Sequence, residues 1–232
     1  WCGPCRVVAP ILEQITQGLS PDTIALTIGV GLAIAVIPVI GVTTILSLKG
    51  APGILELRSA VKEGRVFGPR LYTVGSFINE PFVTTPDDVE RAVVEQKSAG
   101  YDFVKLHGDL SREAYERLLA VAARERIRVV GHAPRNLGVE TMFAERAAPP
   151  QYALVHAEEF LYDRLNRSTD SSLPYVEARI PEFARQTAAA RIWVMPNLTA
   201  YKAIARMVHD LPAVLAQPEV RYMPRSSQAM WG

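Results

Sequence analysis

The chain has 232 residues, of which 49% are hydrophobic and 21% are charged, and this composition excludes an intrinsically disordered protein. Its 25 basic and 24 acidic residues give a formal net charge of +1, without any basic run interleaved with aromatic residues. A nucleic-acid partner is therefore not expected. The length fits one large α/β domain or two small ones.

A redox motif, WCGPC, stands at residues 1–5 and contains the chain's two cysteines, Cys2 and Cys5. Two cysteines cannot form a disulfide framework, so a cytoplasmic location is the default expectation.

The stretch WCGPC and the following VAPILEQI resemble the active-site helix of thioredoxin. The resemblance implies that Cys2 is the attacking thiolate and Cys5 the resolving partner. The strands and the cis-proline loop of that family are not found downstream. A thiol-disulfide oxidoreductase acting through Cys2 and Cys5 is thus one alternative function.

An uncharged stretch follows over residues 23–48, between Asp22 and Lys49. It is long enough to cross a bilayer, which takes about 20 residues in a helix. The alternative is a buried helix followed by a buried strand over 42–48, which leaves a short and marginal membrane helix. Residues 18–41 resemble a family of small bacterial membrane proteins. Membrane association, and with it a membrane-anchored non-catalytic module, therefore stays open as a further alternative.

From residue 41 onward, strand-like and helix-like segments alternate. Strands are predicted over 42–48, 71–76, 101–108, 128–134, 152–160 and 191–199. Helices are predicted over 53–64, 85–100, 111–127, 138–147, 175–190 and 200–216. This alternation indicates parallel βαβ construction, and no glycine-rich dinucleotide fingerprint follows any strand. We therefore expect a (β/α) barrel, whose chemistry lies at the carboxyl ends of its strands.

Polar residues stand near the ends of three consecutive predicted strands. Lys105 and His107 belong to the first, His132 to the second and His156 to the third. Imidazoles in such an arrangement predict a metal site of the kind that zinc, iron or manganese accepts. His107 either shares the inward face of its strand with Lys105 or simply caps the strand.

Three further residues are assigned less directly. Glu158 and Glu159 either support the metal ligands or begin a solvated helix, and we expect the solvated helix start. His209 falls in a helical pattern and is expected at the surface.

The segments FVKLHGDLSREAYERLL, VVGHAP and ALVHAEEF, with GVTT, GPRLYTVGSFINEP and NLTAYKAIA, resemble the amidohydrolase superfamily near imidazolonepropionases and metal-dependent prolidases. The resemblance covers residues 41–232. It implies that Lys105 is carbamylated and, with His132 and His156, binds zinc or another divalent metal, as one or two ions. It further implies hydrolysis of a C–N amide bond in a small amide or dipeptide-like substrate by metal-activated water.

Two features of that family are not found here. The His-x-His pair of its first strand has no counterpart, and the chain stops at Gly232 before the aspartate of its eighth strand. We therefore expect a partial TIM-type barrel without its first and last strands, one metal rather than two, and little or no hydrolysis by this polypeptide alone. Open barrel edges that pair with another copy would give a homo-oligomer.

The expected organisation is a mosaic of three parts. Residues 1–17 form a thioredoxin-like active-site helix, residues 18–40 an apolar connector or membrane helix, and residues 41–232 the incomplete amidohydrolase barrel.

Overall fold

Short parallel strands separated by helices make up the described part of the chain. The computed structural model describes residues 43–50, 53–79, 81–144, 148–160, 173–217 and 220. The strands there are Thr44–Ser47 (β1), Arg70–Thr73 (β2), Phe103–Leu106 (β3), Arg128–Gly131 (β4), Ala153–Val155 (β5) and Trp193–Met195 (β6). Each of the six predicted strands is confirmed, with shorter bounds than the sequence indicated.

The helices of the described residues also follow the prediction closely. They are Ile54–Lys62 (α1), Pro86–Ser98 (α2), Arg112–Arg124 (α3), Leu173–Ala189 (α4), Leu198–His209 (α5) and Leu211–Leu215 (α6). The helix predicted over 138–147 is wrong in type, because a five-residue 3-10 helix, Val139–Phe143, stands there. Gly138, with a φ of 82°, and the extended Ala144 bound this short turn, so it cannot extend into an α-helix.

All strand pairs are parallel, as the βαβ pattern predicts. Strands β1 and β2 form one sheet, and β3, β4, β5 and β6 form a second sheet in that order. Val74 and Ile78 add isolated parallel bridges to β3, at Phe103 and Leu106. The fold is therefore mixed α/β with parallel sheets, while closure into a partial barrel stays a prediction.

The described residues divide into two units, one up to Thr73 together with those from Thr199 on, and the other Val74–Leu198. In the first unit, α1 buries its apolar residues, Ile54, Leu57 and Ala60. The three-part organisation expected from the sequence stays a prediction.

The core of the second unit lies between helices α2 and α3 and strands β3 and β4. The apolar residues of α3 recur every three or four positions, and its buried face holds Tyr115 and Leu118, both with no exposed surface. Each fully buried side chain of this size stabilises the fold by about 1.5–3 kcal/mol. This core fixes β3 and β4, whose carboxyl ends carry the candidate site.

Several predictions fall on residues 1–42, which lie outside the described part. These include the redox pair Cys2 and Cys5, the N-terminal helix and most of the uncharged stretch 23–48. The last residues of that stretch form strand β1, which agrees with the alternative of a buried strand over 42–48. Within the described ranges, no helix is long and apolar enough to span a bilayer.

Candidate functional site

Three neighbouring strands bring Lys105, His132 and His156 together. Lys105 lies inside β3, His132 directly follows β4, and His156 directly follows β5. The ring centroids of His132 and His156 are 5.0 Å apart. Lys105 is close enough for its charge to contribute to lowering the pKa of His156, where burial is the largest cause and the charge of His132 the next. The predicted residues therefore form one cluster at the carboxyl ends of β3, β4 and β5.

The two ring nitrogens of His132 have different surroundings. Its Nδ1 atom lies 3.1 Å from Oε1 of Glu159, and both side chains are buried. Among the described residues neither ring nitrogen makes a hydrogen bond of regular geometry. Nδ1 has the Glu159 carboxylate within ion-pair distance, whereas Nε2 is buried with no partner. If Nδ1 carries the ring proton towards the carboxylate, Nε2 presents a lone pair. Burying a lone pair without a hydrogen bond or another partner costs free energy, so this atom is suited to binding a ligand.

Glu159 is a fully buried carboxylate at the centre of a hydrogen-bond network. Its Oε2 accepts from the backbone N–H of Ala133 at 3.1 Å, and its Oε1 accepts from Nη2 and Nε of Arg135 at 2.7 and 3.1 Å. Burial alone would raise the pKa of Glu159, but the nearby His132 and Arg135 side chains outweigh it and lower the pKa. The expectation that Glu159 begins a solvated helix is wrong, because its side chain has no exposed surface.

Lys105 is buried, with 5% of its surface exposed. Burial lowers the pKa of its ammonium group; the Glu159 carboxylate opposes this change and the Arg135 charge adds to it. Its Nζ lies 4.8 Å from the centre of the Phe77 ring. The site thus favours the neutral amine more than water does.

His107 faces this cluster as well. Its ring stacks on Phe77, with centroids 4.4 Å apart and planes inclined by 6°, and lies 4.5 Å from the His132 ring centroid. Burial, followed by the charge of His132, lowers the pKa of His107. The structure therefore places His107 beside the other three residues, and its chemical role stays a prediction.

His156 adopts the rare left-handed backbone conformation, and so does the neighbouring residue Asn197. Its φ is 80°, and that of Asn197, which follows β6, is 54°. The two side chains meet, because Nδ2 of Asn197 lies 3.2 Å from Nδ1 of His156. In this amide orientation Nδ1 accepts and the neutral ring carries its proton on Nε2. Turning the amide by 180° would place Oδ1 there and free Nε2 as an acceptor.

Two residues fix the backbone around His132. Gly131 has a φ of 121°, and a Cβ atom there would lie 2.1 Å from the carbonyl oxygen of Leu106. The side chain of Gln151 is buried and its Nε2 lies within 3.1 Å of the carbonyl oxygens of Gly131, His132 and Ala153. These contacts tie the end of β4 to the start of β5.

Sequence reasoning missed several residues that complete the cluster. They are Phe77, Arg135, Gln151 and Asn197, and Glu159 was assigned the wrong environment. Arg135 and Glu159 each stand three residues after a histidine of the cluster, in HAPR and HAEE, which is the only signal the sequence offers. Glu158 is half-buried, and its Oε2 has no hydrogen-bond partner among the described residues. His209 is exposed, as predicted.

Comparison with known proteins adds a fold likeness. No protein-family model and no curated protein matches the chain. Similar solved structures include an uncharacterized protein, with a TM-score of 0.53, 18% identity and coverage of 79% of this chain and 48% of that one. A Xaa-Pro dipeptidase with bound methionine in its active site has a TM-score of 0.49 and 15% identity, covering 80% of this chain and 47% of that one.

A third structure is a bottromycin amidohydrolase, with a TM-score of 0.46, 23% identity and coverage of 57% of this chain and 34% of that one. The dipeptidase and the amidohydrolase are named as enzymes that hydrolyse amide bonds. The chain spans less than half the length of each of the three proteins. At this identity the likeness to the first structure shows a shared α/β fold and nothing about chemistry.

Proposed function

We propose that this chain carries part of the metal site of an enzyme that hydrolyses amide bonds, on a partial (β/α) barrel. Lys105, His132 and His156 would hold one divalent ion, zinc or another. The observation that carries the proposal is the His132 ring, whose Nδ1 lies 3.1 Å from a buried carboxylate oxygen of Glu159 and whose Nε2 is buried without a partner. Histidines that bind metals commonly donate their second ring nitrogen to a carboxylate.

The residues fit a metal only if Lys105 takes part. Among the described residues, no group of three histidine, cysteine, aspartate or glutamate side chains is placed to hold an ion. Two imidazoles alone fall short of the four ligands that zinc prefers. A neutral Lys105 amine can add carbon dioxide, and the resulting carbamate would supply an anionic oxygen. Burial of Lys105 supports this step, because it disfavours the ammonium form.

The chain's own side chains would then prepare and hold the ligands. Glu159 keeps the Nδ1 proton of His132 in place, and Arg135 keeps Glu159 ionised. Asn197 sets the ring orientation of His156. A bound divalent ion supplies Lewis acidity towards an amide carbonyl and towards water. The substrate class that this chemistry serves is a small amide or a dipeptide.

Metal content tests the proposal directly. We expect the purified chain to retain zinc after dialysis, and Lys105→Ala, His132→Ala and His156→Ala each to lose most of it by elemental mass spectrometry. His209→Ala removes an exposed imidazole and serves as the control, which should leave the zinc content unchanged. Unchanged zinc in all three site variants would reject the ligand set. Metal-dependent release of amino acids from dipeptides, measured in parallel, tests the amide substrate separately.

A further inference from the structure

A cavity of about 530 Å³ opens at the amino ends of β4, β5 and β6. Its walls include Arg128, the first residue of β4, Tyr152, directly before β5, and Arg191, two residues before β6. Lys105, His132 and His156 lie towards the opposite, carboxyl ends of the strands, so this cavity is separate from the candidate metal site. We name it the arginine cleft. Its volume lies within the roughly 300–1,000 Å³ typical of small-molecule sites.

The charged side chains that line the arginine cleft are all positive. Arg126, Arg128 and Arg191 line it, and none of its lining residues is acidic. Within the described ranges these three guanidinium groups form no ion pair, and Arg128 instead stacks on the Tyr152 ring, with its Cζ 4.4 Å from the ring centroid. Arginine recognises carboxylate and phosphate groups through paired hydrogen bonds. The charge is therefore complementary to an anion.

The backbone gives an independent reason to assign these arginines a role. Arg126 and Arg191 have φ values of 54° and 55°, in the left-handed region that disfavours residues with a side chain. Each follows the end of a helix, α3 or α4, in the same turn. In both turns the next N–H bonds back five residues, from Ile127 to Ala122 and from Ile192 to Thr187.

Two other helices end in this same turn with the residue that the geometry prefers. Gly64 after α1 and Gly100 after α2 have φ values of 73° and 89°. Their following N–H groups also bond back five residues, to Ala60 and Gln96. Of these four turns, the two that carry arginine instead of glycine are the two that line the cleft. Strain retained at two sites around one cavity points to a function for the side chains.

The remaining walls of the arginine cleft are mostly apolar. They include Leu119, Ala122, Ile127, Pro149 and Pro150. A bare inorganic anion would leave these side chains without a contact, whereas an organic anion would cover them. We propose that the arginine cleft binds a small organic dianion, such as a phosphate monoester or a dicarboxylate, with its charges on Arg126 and Arg191 and its apolar part on these walls.

Titration of the full chain with phenyl phosphate and with phthalate, followed by calorimetry, tests the proposal and separates the two dianion types. We expect at least one probe to bind, and inorganic phosphate to bind at least tenfold more weakly than that probe. The double variant Arg126→Gly, Arg191→Gly should lose at least tenfold in affinity. Its fold should persist, because glycine occupies the equivalent turns at Gly64 and Gly100.

A matched control removes two charges elsewhere. Arg112→Ala with Arg185→Ala takes two exposed arginines from α3 and α4, and its affinity for the probes should equal that of the unaltered chain. If the glycine variant is poorly folded by circular dichroism, Arg126→Asn with Arg191→Asn replaces it, since asparagine tolerates the left-handed region. The proposal is overturned if neither probe binds, if inorganic phosphate binds as tightly as the tighter of the two probes, or if the control loses as much affinity as the cleft variant.

Discussion

The Nδ1 atom of His132 lies 3.1 Å from Oε1 of Glu159, and both side chains are buried. The two residues follow two different strands. His132 directly follows β4, and Glu159 lies four residues beyond β5. Glu159 therefore connects the two strand ends through one carboxylate. The same contact sets which nitrogen of His132 is available to a ligand.

Glu159→Gln should weaken zinc binding by about 10- to 100-fold, the usual effect of removing a carboxylate behind a histidine ligand. The amide offers a neutral and weaker acceptor for the Nδ1 proton, and Arg135 loses its contact with a buried negative charge. We also expect the free energy of unfolding to fall by about 2 kcal/mol, since the partly exposed Arg135 loses a charged hydrogen-bond partner. Zinc titration by calorimetry and urea unfolding measure the two effects.

Glu116→Gln makes the same chemical change on the exposed face of α3 and is the control. It should leave zinc affinity unchanged and alter stability by less than about 0.5 kcal/mol. Equal zinc affinity in Glu159→Gln and the unaltered chain would show that the carboxylate does not prepare His132 for a metal.

Asn197 offers a test of how His156 is oriented. Asn197→Asp places an acceptor oxygen 3.2 Å or so from Nδ1, by analogy with the observed amide contact, so Nδ1 holds the proton and Nε2 is free. Zinc affinity should then equal or exceed that of the unaltered chain. Asn197→Gly removes the side chain but keeps the left-handed backbone, and affinity should fall by about tenfold.

The pair of variants separates backbone from side-chain effects, because both replacements tolerate positive φ. Calorimetric zinc titration again gives the result. A weaker site in Asn197→Asp than in Asn197→Gly would mean that His156 does not need an acceptor at Nδ1.

Much of this arrangement follows from the sequence, and the part that does not has a physical reason. The strands were predictable because buried parallel strands are apolar runs bounded by helix caps and turns, as in the stretch around Lys105. Convergence of Lys105, His132 and His156 followed from the parallel order of their strands. The environment of Glu159 was not predictable, because a carboxylate after a strand has the same local pattern whether it meets water or a distant Arg135.

The left-handed residues show a second limit. Gly131 is a natural candidate for a positive φ and asparagine tolerates it, but no local pattern marks His156 or singles out Asn197 as positions that adopt it. Their conformations are set by contacts between β5 and β6, such as the bond from the His156 N–H to the Met195 carbonyl at 2.9 Å. Tertiary contacts of this kind are not encoded in residue spacing.

Gly131→Ala should strongly destabilise the end of β4. The new Cβ would lie 2.1 Å from the carbonyl oxygen of Leu106, and the φ of 121° is unfavourable for alanine. Gly64→Ala is a matched comparison, since Gly64 has a φ of 73° and nothing within 4 Å of a Cβ atom. We expect Gly64→Ala to cost about 1 kcal/mol, from backbone strain alone.

Gly131→Ala should lower the free energy of unfolding by at least about 2 kcal/mol more than Gly64→Ala does. The reason is that the clash is with backbone and cannot be relieved by a rotamer change. Urea unfolding of both variants gives the comparison. Similar losses in the two variants would show that the contact between β3 and β4 at this point is loose.

The first turn of α2 gives a prediction about acid. Thr85 and Asp88 form a reciprocal capping box, with the Asp88 N–H donating to Oγ1 of Thr85 at 3.1 Å and the Thr85 N–H donating to Oδ2 of Asp88 at 3.0 Å. Hydrogen bonds from the side chain and then the backbone of Thr85 lower the pKa of Asp88 well below its ordinary value of 3.8. Thr85→Ala should reduce the free energy of unfolding by about 1 kcal/mol.

Asp88→Asn tests the charge separately, through its dependence on pH. Because the folded-state pKa of Asp88 is lowered, the carboxylate stabilises the fold fully above pH 3.8 and loses that contribution as the pH falls further. The stability difference between the unaltered chain and Asp88→Asn should therefore be constant near neutral pH and shrink below that value. Asp87→Asn, in the same turn but outside the capping box, controls for the charge at the helix N-terminus. A difference for Asp88→Asn that grows on acidification would contradict the capping-box explanation, because it has the opposite sign.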